Sequence, residues 1–308
     1  MSIRIVFLGT AGSIPTQSRS LPSIAIRRKG ELILWDCGEG VQRQMMMAGL
    51  GFNRRTKIFV THMHGDHLFG LPGLIQTMSL LHRERKLQIY GPAGLQPYLE
   101  ALERTVKYNF TFPVEVVSIT EEGPICVEEE YQIDVAWADH CESAFAFSLV
   151  EKCRPGRFHP EKARALGVPE GVLWAKLQQG SSVILPDGRC VEPKGIIGPP
   201  RPGRKITYTG DTRFSPSLAQ LARGADILIH ECTFGDELEE RAFEDRHSTP
   251  THAAETARNA KVKQLILTHI SARYKTIDHL LKQAQKTFPN VKVAEDFMSI
   301  DLPLKKVS

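Results

Sequence analysis

The chain's six cysteines include no Cys-x-x-Cys pair. That removes the paired spacing on which zinc ribbons and dithiol redox motifs depend. Cys37, Cys126, Cys141, Cys153, Cys190 and Cys232 instead read as separate thiols, as expected for a chain this large in a reducing cytoplasm. Long apolar runs are missing too. The longest are strand-sized and broken by charge, whereas a membrane span needs about 20 apolar residues, so no membrane association is expected. The opening MSIRIVFLGT enters a strand-like run without a small-residue cleavage site, so a signal peptide is not expected either. What remains is ordinary globular composition. Its 308 residues would allow two domains, but a large α/β sandwich also accommodates them as one.

A strong net charge is absent as well, but the formal +4 is unevenly spread. Residues 151–205 hold eleven Lys and Arg against five Asp and Glu, which leaves the rest of the chain slightly acidic. A basic segment on such a body suits a polyanion, although a solvated loop has the same composition. The local chemistry adds to this. CRPGRFHPEKARALGVPEGVLWAKLQQG is rich in Pro, Gly and base, SSVILPDGRCVEPKG reads as a hairpin turning at Asp187-Gly188, and GPPRPGR follows. The expectation is one domain over 1–308 with an inserted arm at 153–192.

Elsewhere, six strand-like runs deliver polar residues to their ends. ELILW leads to Asp36, KIFVT to His62, YQIDVAWA to Asp139 and His140, KITYT to Gly210-Asp211, ADILI to His230 and Glu231, and QLILT to His269. Buried strands carry apolar side chains, so residues just past their ends lie at a rim, where α/β folds bind ligands. Helix signals alternate with these runs. His67–Leu81 is apolar enough for a packed helix, with Pro72 interrupting its first half. Ser215-Pro216 and Thr249-Pro250 each read as a cap followed by a first-turn proline. A layered α/β architecture with mixed sheets follows.

The densest chemical signal is Thr61-His62-Met63-His64-Gly65-Asp66-His67. Three imidazoles and one carboxylate in so short a stretch suit zinc, with manganese or iron as alternatives. Strand alternation puts His62 and His64 on one side, while Asp66 and His67 lie past Gly65 and face a second position. Four ligands this close seldom serve one ion, so two are expected. His140, Asp211 and His269 can reach the same rim. Each alone has an ordinary explanation as a loop, turn or strand-end residue, but together they supply the partners the cluster needs. His230 reads as structural.

These residues resemble the metallo-β-lactamase superfamily, and further motifs resemble its tRNase Z branch: FLGTAGSIP, WDCGEGVQRQ, GLPGLIQTMSLL, VLWAKLQQG, GDTRFSP, HECTF, HST and THISARY. The resemblance covers nearly the whole chain. It implies a four-layer αβ/βα sandwich of two mixed sheets. It also implies two Zn2+ per subunit, with Mn2+ or Fe2+ possible. His62, His64 and His140 would hold one ion, Asp66, His67 and His269 the other, and Asp211 would bridge them. Asp36 is implied to orient a ligand histidine. The implied activity is zinc-dependent endoribonucleolytic removal of the 3′ trailer from precursor tRNA. A hydroxide bridging the metals would attack, leaving a 3′-hydroxyl on the tRNA and a 5′-phosphate on the trailer. Asp66 would take a proton from the nucleophile. His247, oriented by Glu231, would protonate the leaving oxygen. The arm is implied to bind tRNA through Lys176 and its neighbours, Arg273 is expected to clamp phosphate, and Arg19 is expected to bind substrate. A homodimer is implied as well, for which VQRQMMMAGL could supply an apolar helix.

The sequence departs from the branch in two places. The loop Pro15-Thr16-Gln17-Ser18-Arg19-Ser20 has Gln17 and Ser20 where the branch has Lys and Asn, and HECT replaces HEAT at Cys232. Two other readings compete. A small-molecule phosphodiesterase of the same superfamily would not need a basic arm. An RNA-binding protein with an inert nuclease centre would be expected to have lost ligands, but all seven positions are filled.

Overall fold

A computed structural model of the chain describes residues 2–106 and 110–305. Two seven-stranded sheets carry the fold. From edge to edge, the first runs Ser299–Leu302, Ile3–Gly9, Ser23–Arg28, Glu31–Trp35, Arg55–Phe59, Leu87–Gly91, Val114–Ser118. The second runs Val291–Val293, Leu265–Thr268, Ile227–Glu231, Lys205–Tyr208, Phe145–Glu151, Tyr131–Trp137, Gly123–Val127. Both are mixed. Strands from Glu31–Trp35 to Val114–Ser118 pair in parallel, as do those from Lys205–Tyr208 to Val291–Val293. Antiparallel strands complete each sheet.

Alternation along each strand sorts side chains into layers. In Glu31–Trp35, Ile33 and Trp35 join a cluster that also takes Phe145, Phe147 and Ile206 from the second sheet. Leu32 and Leu34 turn the other way, toward Leu71, Leu74 and Ile75 of the helix Gly70–Leu80. In Ile227–Glu231, Ile229 belongs to the inner cluster. Leu228 packs with Ala253, Ala254 and Ala257 of the helix Pro250–Asn259. Apolar residues on both faces are what a sheet covered on both sides requires. The order helix, sheet, sheet, helix is the four-layer αβ/βα sandwich. Phe59 joins the sheets, stacked on Tyr90 at 4.7 Å and edge-on to Phe147 at 5.6 Å. Truncating it to Ala should cost about 3–5 kcal/mol.

Local outcomes differ from the sequence expectations at several points. His67–Leu81 is two helices, Gly65–Leu68 and Gly70–Leu80. Pro72 lies in the first turn of the second, where its missing N–H breaks no helical bond. Thr249 caps Pro250–Asn259 with its side chain, reciprocated by His252, whereas Ser215 precedes Pro216–Leu221 without a side-chain cap bond. Glu231 ends the strand Ile227–Glu231 rather than lying beyond it. Of the three consecutive methionines in helix Val41–Met47, only Met45 is buried, while Met46 and Met47 are exposed.

The chain groups into two compact units, one of residues 1–150 with 205–303 and the other centred on 151–204. The second has its own small core of Ala163, Val168, Leu177, Val183, Leu185, Val191 and Ile196. Its hairpin pairs Val183–Ile184 with Cys190–Val191. The turn closes through Gly188 N–H to Leu185 O at 2.9 Å, with Gly188 at φ +85°. The unit runs past the expected end at 192 because GPPRPGR returns along its beginning. Arg154 bridges Arg201, and buried Arg204 grips Glu151 through Nε and Nη2, both at 2.7 Å. Trp174 donates to Val168 O at 3.0 Å and packs on Phe158, so it belongs to this core. Lys176 is exposed on the helix Val172–Gln178.

Candidate metal centre

All the candidate ligands lie in the larger unit, at the carboxyl ends of strands. Asp36 follows Glu31–Trp35, and His62 to His67 follow the neighbouring Arg55–Phe59. His140, Asp211 and His269 come just after strands of the second sheet. Asp36 and His269 both have left-handed backbone, φ +59° and +58°, a conformation costly for non-glycine residues and found where a site over-determines it. Gly12 lies against His269. A Cβ there would sit 2.7 Å from His269 Nδ1, so only glycine permits the approach.

Counting protons shows what the cluster needs. His140 Nδ1 lies 2.9 Å from the Arg246 carbonyl. A carbonyl only accepts, so this nitrogen carries the proton and Nε2 a lone pair. Asp36 Oδ2 lies 2.7 Å from His67 Nδ1 and imposes the same tautomer. Thr61 Oγ1 donates to Asp36 at 2.9 Å and so must accept from His62 Nδ1 at 3.0 Å. Thr233 Oγ1 donates to Glu231 Oε2 and so accepts from His269 Nδ1, both at 2.8 Å. Four imidazoles therefore turn unprotonated Nε2 atoms inward.

There they face one another, the Asp66 and Asp211 carboxylates, and His64. His67 Nε2 and His269 Nε2 are 3.3 Å apart. Asp211 Oδ2 lies 3.2 Å from His269 Nε2, 3.3 Å from His67, 3.8 Å from His140 and 3.9 Å from His62. Asp66 Oδ2 lies 3.3 Å from His269. His64 Nδ1 lies 3.1 Å from His140 Nε2. His62 Nε2 and Asp211 Oδ1 are buried with no hydrogen-bond partner among the described residues. Lone pairs facing lone pairs and carboxylates at largely buried positions are stabilised by positive charge. The donors form four overlapping groups among the described residues, His62–His64–His140, Asp66–His67–Asp211–His269, and two that bring in His247, with His140 and Asp211 or with Glu231 and His269. This donor set fits two divalent cations with Asp211 shared between them.

The electrostatics report the same demand. Burial alone would lower the His67 pKa, but Asp211 and Asp36 outweigh it and push it well above the usual value. Burial would raise Asp211, yet His269 and His67 hold it well below the carboxylate range. His62 moves the other way, lowered by burial and by neighbouring His67. Burial also lowers His140.

Glu231 is a different kind of carboxylate. Fully buried, it accepts from Thr212 N, Ser248 N and His247 Nδ1 on Oε1, and from Thr233 N and Oγ1 on Oε2. Every lone-pair direction is used, so it orients a neighbour rather than binding an ion. Burial disfavours the His247 imidazolium, but Glu231 at 2.8 Å outweighs this and raises the His247 pKa to about 9. The His247 ring lies 4.7 Å from that of His140 and 5.5 Å from that of His269.

The substrate-contact candidates scatter. Exposed Arg273 stacks over Phe234 at 4.8 Å, and Phe234 in turn packs edge-on to His247. Arg19 spends its guanidinium inside the protein, on Thr10 Oγ1 and Ala294 O. Tyr274 packs at the edge of the core beside the His279 ring, accepts from Gly235 N at 2.6 Å and donates to Glu237. Asp66 accepts from Ser13 N at 2.9 Å, and Tyr208 OH donates to Asp36 Oδ2 at 3.0 Å. Thr61, Thr233 and Tyr208 went unnoticed in the sequence. The one available signal was their place inside or beside the motifs THMHGDH, HECTF and TYTGDT.

Comparison with known proteins finds relatives along the whole chain. A family model described as "Beta-lactamase superfamily domain" matches residues 195–270, and one described as "Anti-Pycsar protein Apyc1" matches 3–153. The chain is 44% identical to ribonuclease Z of Methanosarcina acetivorans over 98% of its own length and 99% of that protein's. It is 42% identical to ribonuclease Z of Trichodesmium erythraeum over 98% and 96%. The structure of human tRNase Z, short form, superposes with a TM-score of 0.71 at 29% identity, covering 98% of this chain and 100% of that one. The metallo-β-lactamase fold protein YhfI of Bacillus subtilis, at 17% identity and a TM-score of 0.69 over 98% and 100%, shares the fold. With this identity sustained along its whole length, the chain belongs to the ribonuclease Z family.

Proposed function

We propose that this protein is a zinc-dependent endoribonuclease that removes the 3′ trailer from precursor tRNA, leaving a 3′-hydroxyl on the tRNA and a 5′-phosphate on the trailer. The observation that carries the reading is the pairing of an acceptor-rich cluster with an imidazole, His247, held by Glu231 and stacked beside it. His62, His64 and His140 would hold one zinc ion, Asp66, His67 and His269 the other, with Asp211 between them. Such a pair supplies Lewis-acid charge at the phosphodiester and water acidified toward neutral pH.

The rest is done by the chain's own residues. Asp66, anchored by Ser13 N–H, is placed to take a proton from attacking water. Glu231 accepts the Nδ1 proton of His247, so Nε2 is the atom that delivers a proton to the leaving 3′ oxygen. A pKa raised to about 9 keeps that proton present at neutral pH. Arg273, braced by Phe234, pairs with phosphate. Lys176 and its basic neighbours in the arm meet the tRNA backbone, reading shape rather than base sequence. Arg19 acts through the loop it ties down. We further infer a homodimer packed through the helix Val41–Met47, whose Met46 and Met47 are 65% and 57% exposed, and action in the cytoplasm. The test is a 3′-extended precursor tRNA incubated with protein and zinc, with both product ends mapped. A single cut with the stated ends is expected. Zinc-dependent hydrolysis of small phosphodiesters with the precursor left intact would favour the small-molecule enzyme.

A further inference from the structure

Thr233 bridges two groups that the reaction uses differently. Its one hydroxyl proton goes to Glu231 Oε2, 2.8 Å away, because a carboxylate cannot donate. With that proton spent, the contact to His269 Nδ1, also 2.8 Å, must be donated by the imidazole. The His269 lone pair is thereby fixed on Nε2, where Asp66 and Asp211 oxygens lie at 3.3 and 3.2 Å. The other oxygen of Glu231 takes the proton of His247 Nδ1. Thr233, Glu231, His247 and His269 are all buried, so water has little access to replace a missing partner among them.

We propose that Thr233 is a positioning residue which, by donating to Glu231, locks His269 in its metal-binding tautomer, so that the carboxylate aiming the proton donor His247 also sets one half of the metal site. The proposal rests on the reading of His269 as a ligand given above. Its distinctive consequence concerns Glu231→Gln. The Oε1 position receives three N–H donors, from Thr212, Ser248 and His247, so the amide oxygen must occupy it. The amide NH2 then faces Thr233. A donor there turns the Thr233 hydroxyl toward His269 Nδ1 and favours the tautomer with its proton on Nε2, which cannot bind a cation. If Glu231 served His247 alone, Glu231→Gln would leave metal binding unaffected.

The experiment is zinc titration of the metal-stripped full-length protein against a competing chelator, without RNA. The variants are Thr233→Val, Thr233→Ser, Glu231→Gln and Thr233→Val with Glu231→Gln. Thr233→Val and Glu231→Gln should each weaken one of two zinc sites by about 10–100-fold, the scale for residues that orient metal ligands. Thr233→Ser should restore most of that loss. The double variant should bind zinc no more weakly than the worse single one, because both substitutions break one chain of bonds. Wild-type zinc affinity in Glu231→Gln would overturn the proposal even if Thr233→Val failed to fold. Additive losses, or a serine variant as weak as valine, would also overturn it. Failure of the wild-type protein to cut precursor tRNA at saturating zinc would instead count against the proposed function and leave the titration untouched.

Discussion

The two sheets bring matching devices to the rim and use them for different ends. On the first sheet, Asp36 accepts from Thr61 N, Thr61 Oγ1 and His67 Nδ1, and the Thr61 hydroxyl accepts from His62. On the second, Glu231 accepts from Thr233 N, Thr233 Oγ1 and His247 Nδ1, and the Thr233 hydroxyl accepts from His269. Each carboxylate–threonine clamp fixes two imidazoles. Both imidazoles on the first sheet join the ligand groups with no other role assigned, and Tyr208 adds a further donor to Asp36. On the second sheet His269 joins the acidic group, while His247 is left aimed by Glu231. Under the proposed function, one local solution to orienting histidines would serve metal binding alone on one side and metal binding plus proton transfer on the other.

Substitutions can break this comparison at graded strength. Asp36→Ala should have the largest effect. It strands Thr61, His67 and Tyr208 donors in a buried site, and each unsatisfied group costs about 1–3 kcal/mol. A large fall in thermal midpoint and loss of tightly bound zinc are expected. Near-normal zinc content, measured by elemental analysis, would dissolve the first clamp. Next is the arm, which carries surplus base and no proposed ligand. Replacing residues 155–200 with a short Gly/Ser linker joins Arg154 to Arg201, which already face each other. Hydrolysis of a small phosphodiester should survive within about an order of magnitude. Precursor tRNA binding should weaken and its salt dependence flatten, by roughly one unit of slope or less for each lost phosphate contact. Unchanged salt dependence would remove the arm from binding.

A subtler effect is expected in the pH profile. Glu231 raises the His247 pKa, so the proton donor persists into the alkaline range and cleavage declines as pH rises past its pKa. Neutralising the carboxylate in Glu231→Gln lowers that pKa. At saturating zinc the alkaline decline should therefore begin at lower pH than in the parent, and a profile that stays put would separate Glu231 from proton delivery. Smallest of all, Tyr208→Phe removes one of several donors to Asp36. It should cost about 1 kcal/mol in stability and leave zinc stoichiometry intact.

How much of this could be read from the sequence follows from how local each signal is. His62 to His67 are legible because four ligand-type residues fall in one turn after a strand. His140, Asp211 and His269 are legible because apolar runs stop just before them. The layering was legible too, since strands and amphipathic helices alternate. Thr61 and Thr233 were not. Threonine is common at strand ends, and what makes these two matter is a proton balance with partners such as Asp36 and His269, 25 and 36 residues away. The end of the arm was missed for a similar reason. Arg201 and Arg204 close it through contacts with Arg154 and Glu151, which composition does not encode. The fate of the methionines was decided by which face of a short helix met the core.

The division of labour between the clamps stands or falls on His247. Its ring nitrogens lie close enough to Asp211, Glu231, His140 and His269 for it to have been a ligand itself, and only its assignment to proton transfer makes the two sheets differ. The direct measurement is zinc content and single-turnover cleavage of precursor tRNA by His247→Ala, beside the same pair of values for His67→Ala. The account predicts that His247→Ala keeps both zinc ions and loses roughly 10²-fold or more in cleavage rate, while His67→Ala loses zinc together with cleavage. A His247→Ala protein that sheds a zinc ion, or cuts at nearly the parental rate, would contradict it.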